Sequence, residues 1–393
     1  MIDRENAMLL MFKELYGTDS GVGLARAPGR VNIIGEHTDY NDGFVLPIAI
    51  ARDTLVAFKP NGTRNVNVFS MEQEKPESFS LEQPKDESAP IWMAYVAGVA
   101  GELQAAGHGL VGIDMVIHST VPIGGGLSSS AALEVSTAMA YSSAAGFEVE
   151  RKKLALICQA AEHHYAGMMC GVMDQYVALF GERGLAVRLD CRLLEHEAVP
   201  LSADTAKFIV CDTGVRHELA SSEYNKRRAE CEQGTAIAAR ILKDRQVTAL
   251  RDVGPSDLDN LADDLDQVVV KRVRHVVTEN ARVLSAVEAM RTQNHVALGV
   301  LMDASHESLR DDYEVSCKEL DTLVEIAWEQ NGVYGSRMTG GGFGGCTISL
   351  VDAEKVDAFC ENVGPVYEAK TGIAPSIYVC GPEDGASVIR PAS

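Results

Sequence analysis

The sequence predicts an α+β chain organised as two domains, and three observations carry that expectation. The first half reads as strand-rich. From Tyr224 onward helical patterns dominate, over 224–245 and again over 267–330. The shift falls near 195–205, around Pro200, and divides the chain into 1–200 and 201–393. A chain of 393 residues, 46% hydrophobic, has ordinary globular composition and room for two or three domains with a large core.

Charge and cysteine use narrow the function. With 35 basic and 56 acidic residues the net charge is -21, which disfavours the nucleic-acid backbone and anionic membranes as partners. Nine cysteines, an odd number without a Cys-x-x-Cys, suggest neither a disulfide framework nor a zinc ribbon. The first residues are charged and show no cleavable signal pattern, and no apolar run approaches the roughly 18 residues of a membrane span. A cytoplasmic enzyme is the expectation. Asn61-Gly62-Thr63 reads as a turn.

Taken in order, residues 4–16 read as a helix. The strand expected over 31–34 leads into a polar run holding Glu36, His37, Thr38, Asp39, Asn41 and Asp42. Carboxylates with a histidine and hydroxyls suit a polyol or a divalent metal, because carboxylates accept paired hydrogen bonds from neighbouring hydroxyls. A plain surface turn fits as well, since Asn-Asp-Gly is a strong turn signal. Residues 49–60 and 66–70 read as strands, and the acidic 71–90, with three prolines, as loop and surface strand. A helix starts at 91. Its Trp92 suits core packing or the wall of an adenine pocket, and Trp92 and Tyr95 are the candidates for a nucleotide base.

The densest signal is Gly124, Gly125, Gly126, Leu127, Ser128, Ser129 and Ser130. Alternation over 113–118 predicts a strand before them, and the Gly- and Pro-free 130–141 a helix after them. Glycine admits close backbone approach. A helix start offers free N–H groups and the positive end of its dipole. Serine hydroxyls bond phosphate oxygens or Mg²⁺. The run therefore reads as an anion cradle for a nucleotide, against the plainer alternative of a capped glycine turn. It is not the Walker loop, because the chain has no Gly-Lys dipeptide.

A helix is expected over 152–165, with Glu162 at the margin of its apolar face, where a metal or a salt bridge would partner it. Asp174 follows Gly171 in an apolar run and suits a helix cap or a catalytic base. Strands are expected over 185–189 and 208–211. Near the end, Gly340, Gly341, Gly342, Gly344 and Gly345 lead into a strand over 346–351. They lack the strand-then-helix context of a dinucleotide loop, so close backbone approach is the better reading.

Four stretches, 30–41, 122–135, 173–175 and 339–345, together closely resemble the galactokinase branch of the GHMP family of small-molecule kinases. The two glycine loops resemble the whole family, and Gly35-Glu36-His37-Thr38-Asp39-Tyr40-Asn41 resembles that branch. The resemblance implies ATP-dependent phosphorylation of D-galactose at its anomeric hydroxyl with Mg²⁺, the first committed step of galactose use. It implies a two-domain fold, ribosomal-protein-S5-like then ferredoxin-like, with the active site between. Glu36, His37, Thr38, Asp39, Gly171 and Tyr224 match sugar-binding positions. Gly124 to Ser130 match the nucleotide loop, Ser130 and Glu162 the Mg²⁺ positions. Asp174 matches the base and Arg30 the residue that supports it and stabilises the transferring group. No obligate protein partner is implied. A kinase for N-acetylgalactosamine, galacturonate or arabinose, or a non-catalytic sugar and ATP sensor, would share these motifs; the intact serine loop favours an enzyme.

Overall fold

The computed structural model describes residues 4–201, 204–216, 220–262 and 264–393. Residues 1–3, part of the N-terminal reading above, and 202–203, inside the expected boundary, lie outside the described residues. The chain runs α1 (Arg4–Tyr16), β1 (Gly23–Asn32), β2 (Phe44–Val45), β3 (Pro47–Pro60), β4 (Asn65–Ser70), β5 (Lys75–Ser80), α2 (Ile91–Ala105) and β6 (Ile113–Ser119). There follow α3 (Ser129–Ala145), α4 (Arg151–Ala161), α5 (Met173–Phe180), β7 (Leu185–Asp190) and β8 (Glu195–Pro200). The second half holds β9 (Ala206–Arg216), α6 (Ala220–Ile241), α7 (Leu258–Ala262), α8 (Gln267–Arg291), α9 (His295–Asp311) and α10 (Lys318–Trp328). It closes with β10 (Val333–Thr339), β11 (Gly344–Asp352), α11 (Val356–Thr371), β12 (Ser376–Cys380) and β13 (Ser387–Arg390).

Six strands form the first sheet in the order β13-β1-β3-β6-β4-β5. Its central strands β1, β3 and β6 are largely apolar on both faces because both faces are covered there, whereas β5 at the edge is exposed. Leu24, Leu55, Ala57 and Val116 meet Met8 and Phe12 of α1. Their neighbours Ala25, Val56, Phe58, Met115 and Ile117 meet the helical layer of α2 to α5. The period of two along each strand does this sorting. β2, β7 and β8 make a small separate sheet. Because β13 pairs with β1, a cut near residue 200 divides the sequence more cleanly than it divides the sheets.

The second half is richer in strand than its sequence suggests. A four-stranded antiparallel sheet, β10-β11-β9-β12, packs against α9, α10 and α11. β10 escapes a hydropathy reading because its buried positions include Ser336, Arg337 and Thr339. The late glycines therefore have a strand on each side. Of the strand expected over 31–34, only Val31 and Asn32 are strand, as the end of the longer β1; Ile33 and Ile34 already belong to the bend that follows. The helix expected over 152–165 stops at Ala161 and continues as a π-turn, Glu162–Ala166. A central core joins the halves. In it Val31, Ile33 and Leu127 touch a set that includes Phe208, Val210, Val283 and Ile348. Among the described residues no helix is long and apolar enough to cross a membrane.

Candidate active site

A cavity of about 610 Å³ opens where the end of β1, the start of α3 and the late glycine loop converge. Its wall includes Gly124, Gly126, Ser128, Ser129 and Ser130 from the first loop and Gly340 to Gly342 from the second. The two loops lie backbone on backbone. A Cβ on Gly340 would sit 2.8 Å from the Gly126 carbonyl oxygen, and one on Gly345 3.2 Å from that of Gly125. This contact requires glycine, and it explains the close approach expected of the late loop. Leu127 points the other way, fully buried in the central core, so only its backbone belongs to the loop.

The polar run after β1 folds into a tight turn with Gly35 at φ 104° and His37 at φ 62°. Gly35 is the residue type such a conformation favours. Thr38 is buried and spends its hydroxyl inside the turn, on the carbonyls of Gly35 and Phe44 at 2.9 and 2.7 Å. Glu36 reaches across to the late loop, its Oε1 accepting from Thr339 Oγ1 at 3.0 Å and Gly340 N at 2.8 Å, with Arg337 at 3.5 Å. His37 Nδ1 meets Tyr40 Oη at 2.8 Å, and its ring packs 5.2 Å from that of Tyr224. Glu36, His37, Asp39 and Tyr224 all line the cavity. Gly171 stands behind Asp39: a Cβ there would lie 2.1 Å from the Asp39 carboxyl carbon.

The turn is pinned from behind by α8. Glu279, fully buried, accepts from Gly35 N at 2.9 Å and Ser305 Oγ at 2.7 Å. Asn280 Oδ1 accepts from Phe44 N at 2.9 Å, and His275 Nε2 lies 3.2 Å from the Glu36 carbonyl. Burial alone would raise the Glu279 carboxyl, yet Arg282 first among its neighbours holds it down at about 2.

Between turn and loop stands Asp174, on the first turn of α5. Arg30 Nε and Nη2 donate to its two oxygens at 2.8 and 2.9 Å, a bidentate pair, while Arg30 Nη1 donates to Gly126 O at 2.6 Å. Ser128 Oγ donates to Asp174 Oδ2 at 2.5 Å. Ser128 occupies the N-cap of α3 with no side-chain capping bond, because its hydroxyl is given to Asp174. Asp174 is no cap either, since Val172 holds that position on α5. Burial opposes the Arg30 charge, but Asp174, then Glu36 and Asp39, outweigh it and hold the guanidinium protonated.

Glu162 begins the π-turn, a distortion frequent at functional sites. It is 6% exposed and lines the cavity together with Ser130. Burial, then the nearby Asp174, raise its carboxyl above the usual range. A carboxylate and a hydroxyl are hard oxygen donors, and such a pair suits a small divalent cation that takes its other ligands from water and phosphate. Trp92 and Tyr95 of α2 also line the cavity, with Ile117 and Leu133.

Asp39 is raised to about 7, by burial first and then by Asp174. A carboxyl that binds its proton more tightly folded than unfolded adds stability below its ordinary 3.8, and that contribution is lost as pH rises through about 7. Melting temperatures of the ligand-free protein should therefore fall from pH 5 to pH 8. Asp39→Asn should flatten the fall and melt about 2–4 °C higher than the parent at pH 8. Parallel curves for variant and parent in a thermal-shift series would exclude Asp39 as the group responsible.

The sequence reading missed several residues at the site. Arg216, at the end of β9, lies against Gly124 and Gly125, ion-paired to Asp212 at 2.6 Å. Glu134 and Gln175 flank Glu162. Glu279 and Asn280 hold the turn. Only the rarity of carboxylates on apolar helix faces could have signalled Glu134 and Glu279.

Three family models match the chain: the galactokinase galactose-binding signature at 11–60, the GHMP kinases N-terminal domain at 94–182 and the GHMP kinases C-terminal domain at 286–368. The galactokinase of Chloroflexus aurantiacus is 48% identical over 368 residues, 93% of each chain. That of Chloroflexus aggregans is 47% identical over 366 residues, again 93% of each. Among solved structures, Lactococcus lactis galactokinase complexed with galactose matches with a TM-score of 0.94 at 35% identity, covering 98% of this chain and 100% of that one.

Proposed function

The chain belongs to the galactokinases, within the GHMP kinases, and from that premise we propose that it transfers the terminal phosphoryl group of ATP to the anomeric hydroxyl of D-galactose, giving α-D-galactose 1-phosphate and ADP. The observation that carries the reading is Asp174, gripped by Arg30 and Ser128 at the junction of the polar turn and the glycine–serine loop.

The turn takes the sugar. Glu36, His37, Asp39 and Tyr224 offer acceptors and an aromatic face, Gly171 leaves Asp39 its room, and Thr38 shapes the turn. The first loop takes the phosphates on backbone N–H groups and the serines at the start of α3. Trp92 and Tyr95 wall the base. Asp174 accepts the proton of the anomeric hydroxyl as that oxygen bonds the terminal phosphorus and the bond to the bridging oxygen breaks. Arg30 keeps Asp174 aimed and adds positive charge beside the transferring group. Ser130 and Glu162 would hold Mg²⁺, which when bound neutralises phosphate oxygens. The reaction falls between the halves 1–200 and 201–393, the second supplying Tyr224 and the late loop. A net charge of -21 leaves phosphate binding to these local groups.

Coupled ADP release across galactose, N-acetylgalactosamine, galacturonate and arabinose tests the reading. Galactose should give the highest kcat/KM, and galactose no better than the sugar-free background would overturn it. Asp39→Asn should raise the galactose KM roughly 10- to 100-fold, the loss of a charge-assisted bond worth about 1.5–3 kcal/mol, and leave the ATP KM unchanged. A shift in the ATP constant instead would remove Asp39 from the sugar.

A further inference from the structure

Behind Glu162 lies a buried polar cluster that the reaction as described does not use. Glu134 of α3 and Gln175 of α5 are both fully buried. Gln175 Nε2 donates to Glu134 Oε2 at 2.9 Å and to Glu162 Oε2 at 2.8 Å. An amide group carries two N–H donors, so this arrangement uses both and fixes which way the amide faces. Cys170 Sγ adds a contact to the same Glu162 oxygen at 3.4 Å. The sequence places these groups economically. Glu134 follows Ser130 by four residues, one turn along the same face of α3. Gln175 follows Asp174 directly on α5. Two short helix segments thus present a hydroxyl and a carboxyl from one side, and a carboxylate and an amide from the other, around Glu162.

A purely structural role fits poorly. Glu134 Oε1 and Gln175 Oε1 are buried with no hydrogen-bond partner, a standing cost that apolar residues of similar size would remove. A role in orienting Glu162 fits better, because outer partners hold a metal-binding side chain in one orientation.

We propose that Gln175 and Glu134 are positioning residues for the divalent cation: Gln175 ties Glu162 Oε2 so that this carboxylate meets the cation in one orientation, and Glu134 holds Gln175 to that task. The inference rests on reading Ser130 and Glu162 as the cation's protein ligands. Loss of outer partners of this kind typically weakens metal binding about 10- to 100-fold.

The test needs no turnover. Mn²⁺ binding to the protein with ADP is followed by the electron paramagnetic resonance of free Mn²⁺, over an ADP-only baseline, with galactose affinity measured by calorimetry on the same samples. Gln175→Leu should weaken Mn²⁺ binding about 10- to 100-fold and leave galactose affinity within about twofold. Glu134→Leu should behave alike, whereas Glu134→Gln, which keeps an acceptor for Gln175, should stay within about threefold of the parent. Gln175→Met carries the same expectation should the leucine protein fail to fold. Parent-like Mn²⁺ binding by the Gln175 variants, with Glu162→Gln binding poorly, overturns the positioning role and spares the cation site. Parent-like binding by Glu162→Gln as well removes the cation from Glu162 and overturns both.

Discussion

Replacing Asp174 by asparagine should lower kcat by about 10²–10⁴-fold, the usual contribution of a general base, in a protein that still folds and binds both substrates. Asparagine keeps the size of the side chain and one acceptor for Arg30 Nε or Ser128 Oγ, the partners now at 2.8 and 2.5 Å. What it lacks is an oxygen able to take a proton at neutral pH. Helix capping cannot account for a loss, because the N-cap of α5 is Val172 and Asp174 makes no capping bond there. A fall in kcat with little change in the calorimetric affinities for galactose and ATP is the signature of an interaction made in the transition state. Near-normal turnover by the folded variant would sink the base assignment and leave the hydroxyl proton to pass directly to phosphate.

Arg30→Lys should be almost as damaging, with kcat down about 10³-fold, the lower end of what a transition-state arginine supplies. The guanidinium makes three bonds at once, two to Asp174 and one at 2.6 Å to Gly126 O. Its planar fork joins the base to the nucleotide loop. A lysine keeps the charge but reaches one of these partners from a flexible stem. The loss should therefore persist at saturating ATP and galactose, since alignment rather than occupancy is what lysine cannot supply. Full recovery of kcat at saturation would reduce Arg30 to a binding residue.

The two loops were legible in the sequence because each concentrates its chemistry within a few residues. Gly124 to Ser130 carries glycine, hydroxyl and helix start together, and the late glycines declare a close approach. Partnerships across the chain were not legible from residue types. Nothing local to Arg30 or Asp174 announces their bidentate pair, which only the resemblance implied. Glu279 and His275 are polar residues of α8 that are fully buried, which the helical pattern over 267–330 does not single out. β10 was hidden by Ser336, Arg337 and Thr339, buried polar residues that interrupt the strand pattern. The π-turn at Glu162 was invisible because the apolar spacing of α4 continues almost undisturbed through it.

The pairing of β13 with β1 has a consequence for how the protein is made. Arg30 sits near the end of β1, whose two hydrogen-bonded neighbours are β3, close by in sequence, and β13, from the far end. On a ribosome adding about 5–20 residues per second, roughly 350 residues separate these partners, a wait of about 20–70 s. For that time the edge of β1 stays unpaired, a template for association with other chains. Deleting the segment after Gly385 should make the wait permanent, so that the truncated chain aggregates during expression although every residue of the cavity wall is present.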